Sequence, residues 1–163
     1  IVFPNLSKSQ KEKILVLGKN MTFHRGHLTL IKKAFSLKTS EEIYVMQFDD
    51  ESEVLNSSLR KQILERNNID GIFIFKKNQK NFSYSKKDFI DYLKKLNVTA
   101  VICGKDFNFG KNAEGTPEDL KKFFRTEIIE IVKYKNLKIS SGLIKNLIKT
   151  RDFETANKLL GFN

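Results

Sequence analysis

The sequence predicts an α/β fold, a Rossmann-like parallel sheet with helices on both faces. Short apolar, β-branched runs alternate with amphipathic helical patterns along the 163 residues, and this alternation is typical of strand–helix–strand units. The first apolar runs are nearly continuous, as expected for strands that are buried on both faces. Such units join into a parallel sheet by right-handed crossovers, and the length suits one domain with its own core.

Five strands are predicted from the apolar runs. The first ends in Gly18, and the fourth contains the only cysteine, Cys103, which we interpret as a small core residue. After the third strand, residues 76–84 are rich in lysine and asparagine and are predicted to form a surface loop. The predicted strands span residues 13–18, 42–48, 71–75, 98–103 and 127–134.

Five helices are predicted from apolar residues that recur every three or four positions. The second helix has Leu59, Ile63 and Leu64 on one side, and the third opens with Ser85 and Asp88 spaced as a variant of the capping box. The predicted helices span about residues 27–37, 59–67, 85–96, 141–149 and 153–160.

The formal net charge is +11, from 30 basic and 19 acidic residues. The lysines are scattered in pairs rather than gathered in a tail, so they favour a solvated surface over a nucleic-acid partner. A basic field of this kind would still raise the local concentration of polyphosphates. No apolar run could span a membrane and no signal-peptide pattern opens the chain, so we expect no membrane partner and a cytoplasmic location.

The most informative segment is 22–27, Thr-Phe-His-Arg-Gly-His, which lies between the first strand and the first helix. A helix start offers unpaired N–H groups to phosphate, Gly26 allows close approach, and the rings of His24 and His27 can donate hydrogen bonds. The same pair could instead be a helix cap or a metal site. The chain has two histidines in all, so a zinc site would also need Cys103 or carboxylates and is disfavoured.

A second candidate segment, 104–111, reads Gly-Lys-Asp-Phe-Asn-Phe-Gly-Lys and follows the fourth strand. Gly104 and Gly110 permit sharp turns, and the rings of Phe107 and Phe109 could line an apolar pocket for a flat ring. Asp106 could bind Mg²⁺. The alternative is a loop whose phenylalanines pack on the core.

A third candidate segment, 139–145, reads Ile-Ser-Ser-Gly-Leu-Ile-Lys and opens a predicted helix. Ser140 and Ser141 supply hydroxyl groups at the helix start, and Lys145 follows one turn later on the same side. Hydroxyls, free N–H groups and a cation suit a second phosphate site. Taken alone, this segment is better explained by a serine that only caps the helix.

In this order, the three segments resemble the His-x-Gly-His and Ser-Ser-Thr-x-x-Arg motifs of the nucleotidyltransferase superfamily. The closest resemblance is to the adenylyltransferase (FAD synthetase) domain of the bacterial bifunctional riboflavin kinase/FMN adenylyltransferase family. Segment 104–110 is similar to that family's glycine–acid–phenylalanine–x–phenylalanine–glycine string. Residues 152–161, Asp-Phe-Glu-Thr-Ala-Asn-Lys-Leu-Leu-Gly, are similar to its final helix. The resemblance covers nearly the whole chain and implies a nucleotidyltransferase fold of the HxGH type.

The resemblance implies that ATP and FMN react to give FAD and pyrophosphate with Mg²⁺. It implies three groups of site residues. The catalytic residues would be His24, His27 and Lys145; those that bind ATP and its phosphates would be Gly18, Lys19, Asn20, Gly26, Ser140 and Ser141; the flavin pocket would hold Asp106, Phe107 and Phe109, with Asp106 also the metal ligand.

The chain departs from the family pattern near two motifs. Asn20, Met21 and Thr22 stand where the family has phenylalanine, aspartate and glycine, Gly142 stands at its threonine, and Lys145 at its arginine. Two alternatives therefore stay open. One is another small-molecule adenylyltransferase, acting on phosphopantetheine or a nicotinamide nucleotide, and the other is a degenerate flavin- or nucleotide-binding module with weak catalysis.

The resemblance also bears on domain organisation. We expect residues 1–163 to form a single FMN adenylyltransferase-like domain, with no riboflavin kinase domain among them. A riboflavin kinase domain, fused or separate, is the protein partner that the family implies.

Overall fold

The computed structural model describes residues 10–18, 22–49, 57–76 and 84–161. Within these ranges, five strands form one parallel sheet in the order β3-β2-β1-β4-β5, so β1 lies at its centre. The strands are β1 (Lys13–Gly18), β2 (Glu42–Asp49), β3 (Gly71–Lys76), β4 (Val98–Gly104) and β5 (Arg125–Ile129).

Helices cover both faces of this sheet, which confirms the predicted Rossmann-like fold. On one face, Leu30 and Ile31 of the first helix and Ile63 of the second belong to the core layer that contains Val16 of β1. On the other face, Leu93 of the third helix and Leu120 of the fourth belong to the core layer that contains Leu15 and Leu17. The helices are α1 (Arg25–Leu37), α2 (Ser57–Arg66), α3 (Lys86–Lys95), α4 (Pro117–Lys121), α5 (Ser141–Lys149) and α6 (Phe153–Leu159).

The strand order places a switch point at the centre of the sheet. From β1 the chain moves outward to β2 and β3, and it then returns to β4 on the other side of β1. The connections that follow β1 and β4 therefore diverge onto opposite faces. Ligands of open α/β sheets bind in the crevice that this divergence leaves at the carboxyl ends of the strands.

Local sequence signals explain how two of the helices begin. Ser85 caps α3, because its hydroxyl accepts a hydrogen bond from the Asp88 N–H while the Asp88 carboxylate accepts one from the Ser85 N–H. This reciprocal pair confirms the predicted capping box. The short helix α4 was not predicted from the sequence, although the Asp119 carboxylate accepts a hydrogen bond from the Thr116 N–H and Pro117 occupies its first turn.

The predicted strand over 127–134 is wrong in its extent. The fifth strand begins two residues earlier and ends at Ile129, and the following residues form a separate antiparallel hairpin, β6 (Lys133–Tyr134) and β7 (Leu137–Lys138). Its two turn residues, Lys135 and Asn136, have φ values of 46° and 64°. A pair of positive φ values is the signature of a tight type I′ turn, which folds the chain back immediately and ends the apolar run.

The two C-terminal helices have a small core of their own. Ile139, Ile144 of α5 and Leu159 of α6 are buried together, apart from the two layers beside the sheet. The predicted loop over 76–84 lies mostly outside the described residues, since only its first residue, at the end of β3, and Tyr84 are described. No helix among the described residues is long and apolar enough to cross a membrane.

Candidate functional site

The three segments singled out in the sequence meet at one cleft of about 260 Å³. It lies beyond the carboxyl ends of β1, β4 and β5, at the switch point of the sheet. The end of β1 and the start of α1 form one wall, the turn after β4 forms the second, and residues 129–132 with 138–142 form the third. Segments more than a hundred residues apart in the sequence therefore share a single site.

His24 and His27 form the floor of this cleft. His24 is the N-cap of α1, and its Nδ1 accepts a hydrogen bond from the backbone N–H of His27 at 3.3 Å. The two rings stack with their centroids 3.8 Å apart and their planes 15° from parallel. Both side chains are more than nine-tenths buried, and Nδ1 of His27 has no hydrogen-bond partner.

Burial keeps both rings neutral at physiological pH. Desolvation is the main reason that the pKa of His24 falls from 6.5 to about 4, and the nearby charge of Lys138 lowers it further. Burial also lowers the pKa of His27 well below its usual value, with a smaller contribution from His24. A neutral imidazole still carries one N–H, so each ring can donate a hydrogen bond to an anion without itself being charged.

Two backbone features hold the histidine pair in position. A Cβ on Gly26 would lie 2.9 Å from Cε1 and 3.0 Å from Nδ1 of His24, so only glycine leaves room for this ring. Phe23 is fully buried with a φ of 53°, a conformation that costs energy for a residue with a side chain. The apolar anchor of Phe23 thus fixes the direction in which His24 enters the helix.

The third segment contacts the first one directly. Oγ1 of Thr22 lies 3.1 Å from Oγ of Ser141, the first residue of α5. The hydroxyl of Ser140 accepts a hydrogen bond from the N–H of Leu143 at 3.2 Å, so this side chain caps α5 as the plainer interpretation of the segment expected. Both serines also line the cleft, and the start of α5 faces it.

An ion pair between Asp106 and Lys138 joins the second wall of the cleft to the third. Asp106 follows β4, whereas Lys138 ends the hairpin strand β7. Sequence reasoning missed Lys138, although a lysine two residues before the first serine of the third segment could have been noticed. It also missed Glu130, which lines the cleft and pairs with Lys105 at 3.1 Å.

The two phenylalanines of the second segment have different environments. Phe107 lines the cleft as well as the core. The ring centroids of Phe109 and of Phe89 in α3 lie 4.8 Å apart, and Phe109 does not line the cleft. Phe107 is therefore the aromatic ring of this segment that a bound ligand could contact.

The remaining predicted site residues fall in three places. Gly18, at the end of β1, lines the cleft. Lys145 is half-buried on α5, one turn beyond the residues that line the cleft. Lys19 and Asn20, with Met21, lie outside the described residues.

Asp106 is the carboxylate of the second cleft wall, and a single carboxylate can hold a cation only together with other ligands. Among the described residues, no group of three or more histidine, cysteine, aspartate or glutamate side chains could hold a metal by itself. In phosphoryl-transfer sites, Mg²⁺ is usually held by one or two carboxylates together with substrate phosphates and water. Asp106 lies at the cleft with its carboxylate, and its role as a metal ligand stays a prediction.

A family model described as FAD synthetase matches residues 6–145 of the chain. The chain is 29% identical over 169 residues to the bifunctional riboflavin kinase/FMN adenylyltransferase of Listeria monocytogenes, covering 92% of the chain and 54% of that protein. The Bacillus subtilis protein of the same name is also 29% identical, and the match covers 96% of the chain and 55% of that protein. The chain thus spans about half the length of these relatives. A Listeria monocytogenes protein named FAD synthetase is 25% identical, and the match covers 95% of the chain and 71% of that protein.

Solved structures show the same fold. A Streptococcus pneumoniae protein described as a macrolide-efflux protein superposes with a TM-score of 0.85 at 27% identity, covering 94% of this chain and 57% of that one. A pantoate–β-alanine ligase from Francisella tularensis superposes with a TM-score of 0.56 at 16% identity, covering 95% and 72%, and supports the fold alone.

Proposed function

Because the chain belongs to the FAD synthetase family, we propose that it transfers the adenylyl group of ATP to the phosphate of FMN, forming FAD and releasing pyrophosphate. The observation that carries the proposal is the neutral, stacked pair of His24 and His27 in a switch-point cleft at the start of α1. This arrangement is suited to binding phosphates.

The reaction needs little covalent chemistry from the protein. A phosphate oxygen of FMN forms a bond to the α-phosphorus of ATP. The bond from that phosphorus to the oxygen bridging it to the β-phosphorus breaks, and this oxygen leaves as a terminal oxygen of pyrophosphate. The nucleophile is already an anion, so no general base is required. Catalysis then consists of holding the two substrates in line and stabilising the charge that develops on the phosphates.

His24 and His27 are proposed to donate hydrogen bonds to the ATP phosphates. Nδ1 of His24 accepts the N–H of His27, so its own proton lies on Nε2 in the neutral ring. The buried rings have given up most of their water, and preorganised donors in such a site interact more strongly with an anion than they would in solvent. A bound polyphosphate would also favour the protonated rings, and this would strengthen the contact as pyrophosphate leaves.

The start of α5 is proposed as the second phosphate contact. The first turn of this helix and the hydroxyl of Ser141 face the cleft, while Ser140 positions the helix as its cap. Lys138, which lines the cleft, would add positive charge at the same wall. Lys145 would add positive charge near the start of α5, from one helical turn away. Mg²⁺, when bound, would neutralise charge on the polyphosphate, with Asp106 as the residue to hold it.

The flavin is proposed to contact Phe107, and a second protein is proposed as the source of FMN. Phe107 offers an apolar ring at the cleft, which suits a flat aromatic substrate. The bifunctional relatives are also named riboflavin kinases, so we propose that a kinase, fused or separate, supplies FMN to residues 1–163 acting as one adenylyltransferase domain in the cytoplasm.

Product analysis tests this function directly. The purified chain is incubated with ATP, FMN and MgCl₂, and the flavins are separated by chromatography while pyrophosphate is measured in parallel. FAD and pyrophosphate should appear in equal amounts. A failure to form FAD, with both substrates still bound by calorimetry, would instead identify a binding module. Adenylylation of phosphopantetheine or nicotinamide mononucleotide, without FAD, would identify a different adenylyltransferase.

A further inference from the structure

The ion pair of Asp106 and Lys138 joins the two charged groups that a metal-bound polyphosphate would need. Lys138 is a cation able to contact phosphate, and Asp106 is a carboxylate able to contact a divalent cation. Both line the cleft, and in this structure each one neutralises the other. The pair therefore controls what charge the cleft offers to an incoming ligand.

Binding of a nucleotide without a metal ion is unfavourable at this ion pair. Its phosphates can attract Lys138 only by separating it from Asp106, and the released carboxylate then repels the phosphates at short range. A nucleotide that carries a divalent cation brings both signs of charge. Lys138 can pair with a phosphate while Asp106 turns to the cation, so neither side chain loses a partner.

We infer that Asp106 makes this chain select the metal complex of the nucleotide over the free nucleotide, through an exchange of partners with Lys138. The inference rests on the proposed use of ATP and deepens it. It assigns Asp106 a role in discrimination that a metal ligand alone would not have, because the carboxylate also disfavours binding of the metal-free nucleotide.

The geometry allows the exchange without a backbone rearrangement. The side chains of Asp106 and Lys138 are 50% and 47% exposed, and ion pairs with this much solvent contact contribute little to stability. Their backbones are held on either side by hydrogen bonds, from the N–H of Phe107 to the Gly104 oxygen at 3.0 Å and from the N–H of Ile139 to the Val132 oxygen at 2.9 Å. Side-chain rotation is sufficient to change partners.

Calorimetry of ATP binding, without FMN and therefore without turnover, tests the inference. ATP is titrated into the full chain in MgCl₂ and, separately, in EDTA. The wild-type chain should bind ATP about tenfold more tightly with Mg²⁺. In Asp106→Asn, binding in EDTA should strengthen, and the ratio between the two conditions should fall to about twofold or less. In Lys138→Gln, affinity should fall in both conditions while a clear Mg²⁺ effect remains.

Glu130→Gln is the matched control, because Glu130 lines the same cleft but pairs with Lys105 instead. It removes the same charge and should keep the wild-type Mg²⁺ effect. The inference is overturned if Asp106→Asn retains the full effect, or if Glu130→Gln loses as much of it. Those results would leave ATP binding, and so the proposed function, intact. A wild-type chain that binds ATP in neither condition would overturn both. Circular dichroism of each variant confirms that it is folded.

Discussion

The hydroxyl oxygens of Thr22 and Ser141 lie 3.1 Å apart and join segments separated by 119 residues in the sequence. One residue precedes the histidine motif and the other begins α5. This contact joins the first wall of the cleft, which leads into His24 and His27, to the third wall, where the second phosphate contact is proposed.

A double-mutant cycle should detect that connection. Thr22→Val and Ser141→Ala each remove one hydroxyl, and the second substitution should cost less in the background of the first. We expect a coupling energy of about 1 kcal/mol in urea unfolding, the usual contribution of such a hydrogen bond. Strictly additive effects would mean that the two hydroxyls do not stabilise each other in solution.

His24→Asn separates the structural role of this residue from its proposed chemical one. Asparagine is a good N-cap, so α1 should keep its start and the melting temperature should stay close to that of the wild type. The ring that donates to phosphate is lost, so the rate of FAD formation should fall about 100-fold or more. A variant that is stable and as active as the wild type would exclude the proposed role of His24.

Gly26→Ala should impair activity without unfolding the protein. The new Cβ would displace the His24 ring, which it meets at 2.9 Å, while alanine favours the helix by up to about 1 kcal/mol. We therefore expect near-wild-type stability with at least tenfold slower FAD formation. Gly142→Ala is the matched control in α5, since its nearest neighbour is the Ser140 hydroxyl at 3.8 Å. It should gain similar helix stability and change the rate far less.

The neutral histidines should make stability fall in mild acid. His24 has a folded-state pKa of about 4 against 6.5 for the free side chain, so between these values the unfolded chain binds a proton that the folded chain does not. Stability is thus complete above pH 6.5 and is lost as the pH falls towards 4. From pH 7 to pH 5, His24 alone should cost about 2 kcal/mol of unfolding free energy, and His27 acts in the same direction.

Urea unfolding of the wild type and His24→Asn at pH 7 and pH 5 measures this contribution. The variant should lose about 2 kcal/mol less than the wild type between the two conditions. The comparison cancels the carboxylates that both proteins share. Equal losses in the two proteins would show that the folded state accommodates a charged His24 at no cost.

Phe107→Leu and Phe109→Leu should separate ligand contact from core packing. Both rings are buried, so each change should lower stability by roughly 1–3 kcal/mol. Only Phe107 lines the cleft. We expect Phe107→Leu to weaken FMN binding about tenfold, and Phe109→Leu to change it less than about twofold. Equal effects on FMN affinity would contradict the assignment of Phe107 as the flavin contact.

The regular elements of the fold were readable from the sequence because their signals are local. The apolar run of β1 and the capping box of Ser85 and Asp88 each specify their element within a few residues. The hairpin could not be predicted from the sequence. The chain leaves the sheet at Ile129, but β-branched residues on both sides of this point favour a continuous strand. Only the turn at Lys135 and Asn136 breaks the run, and neither residue is a glycine.

The site was predicted in its position and less completely in its contacts. The sequence motifs at helix starts predicted His24, Gly26 and Ser141, because such motifs involve only residues close together in the sequence. Lys138 reaches the cleft through the hairpin and meets Asp106 from the far wall, and this pairing depends on tertiary structure. The different surroundings of Phe107 and Phe109 likewise depend on α3, which no pattern within their own segment reveals.

The separate core beneath α5 and α6 has a consequence for how a long product could leave. Strand β1 is hydrogen-bonded to neighbours on both sides, so its amides should exchange with solvent only when the whole protein unfolds. The helices α5 and α6 rest on a small cluster around Ile144 and Leu159, and their amides should exchange through local opening at lower free energy. One wall of the cleft would then open to release the proposed dinucleotide product, while the histidines at the start of α1 stay in place.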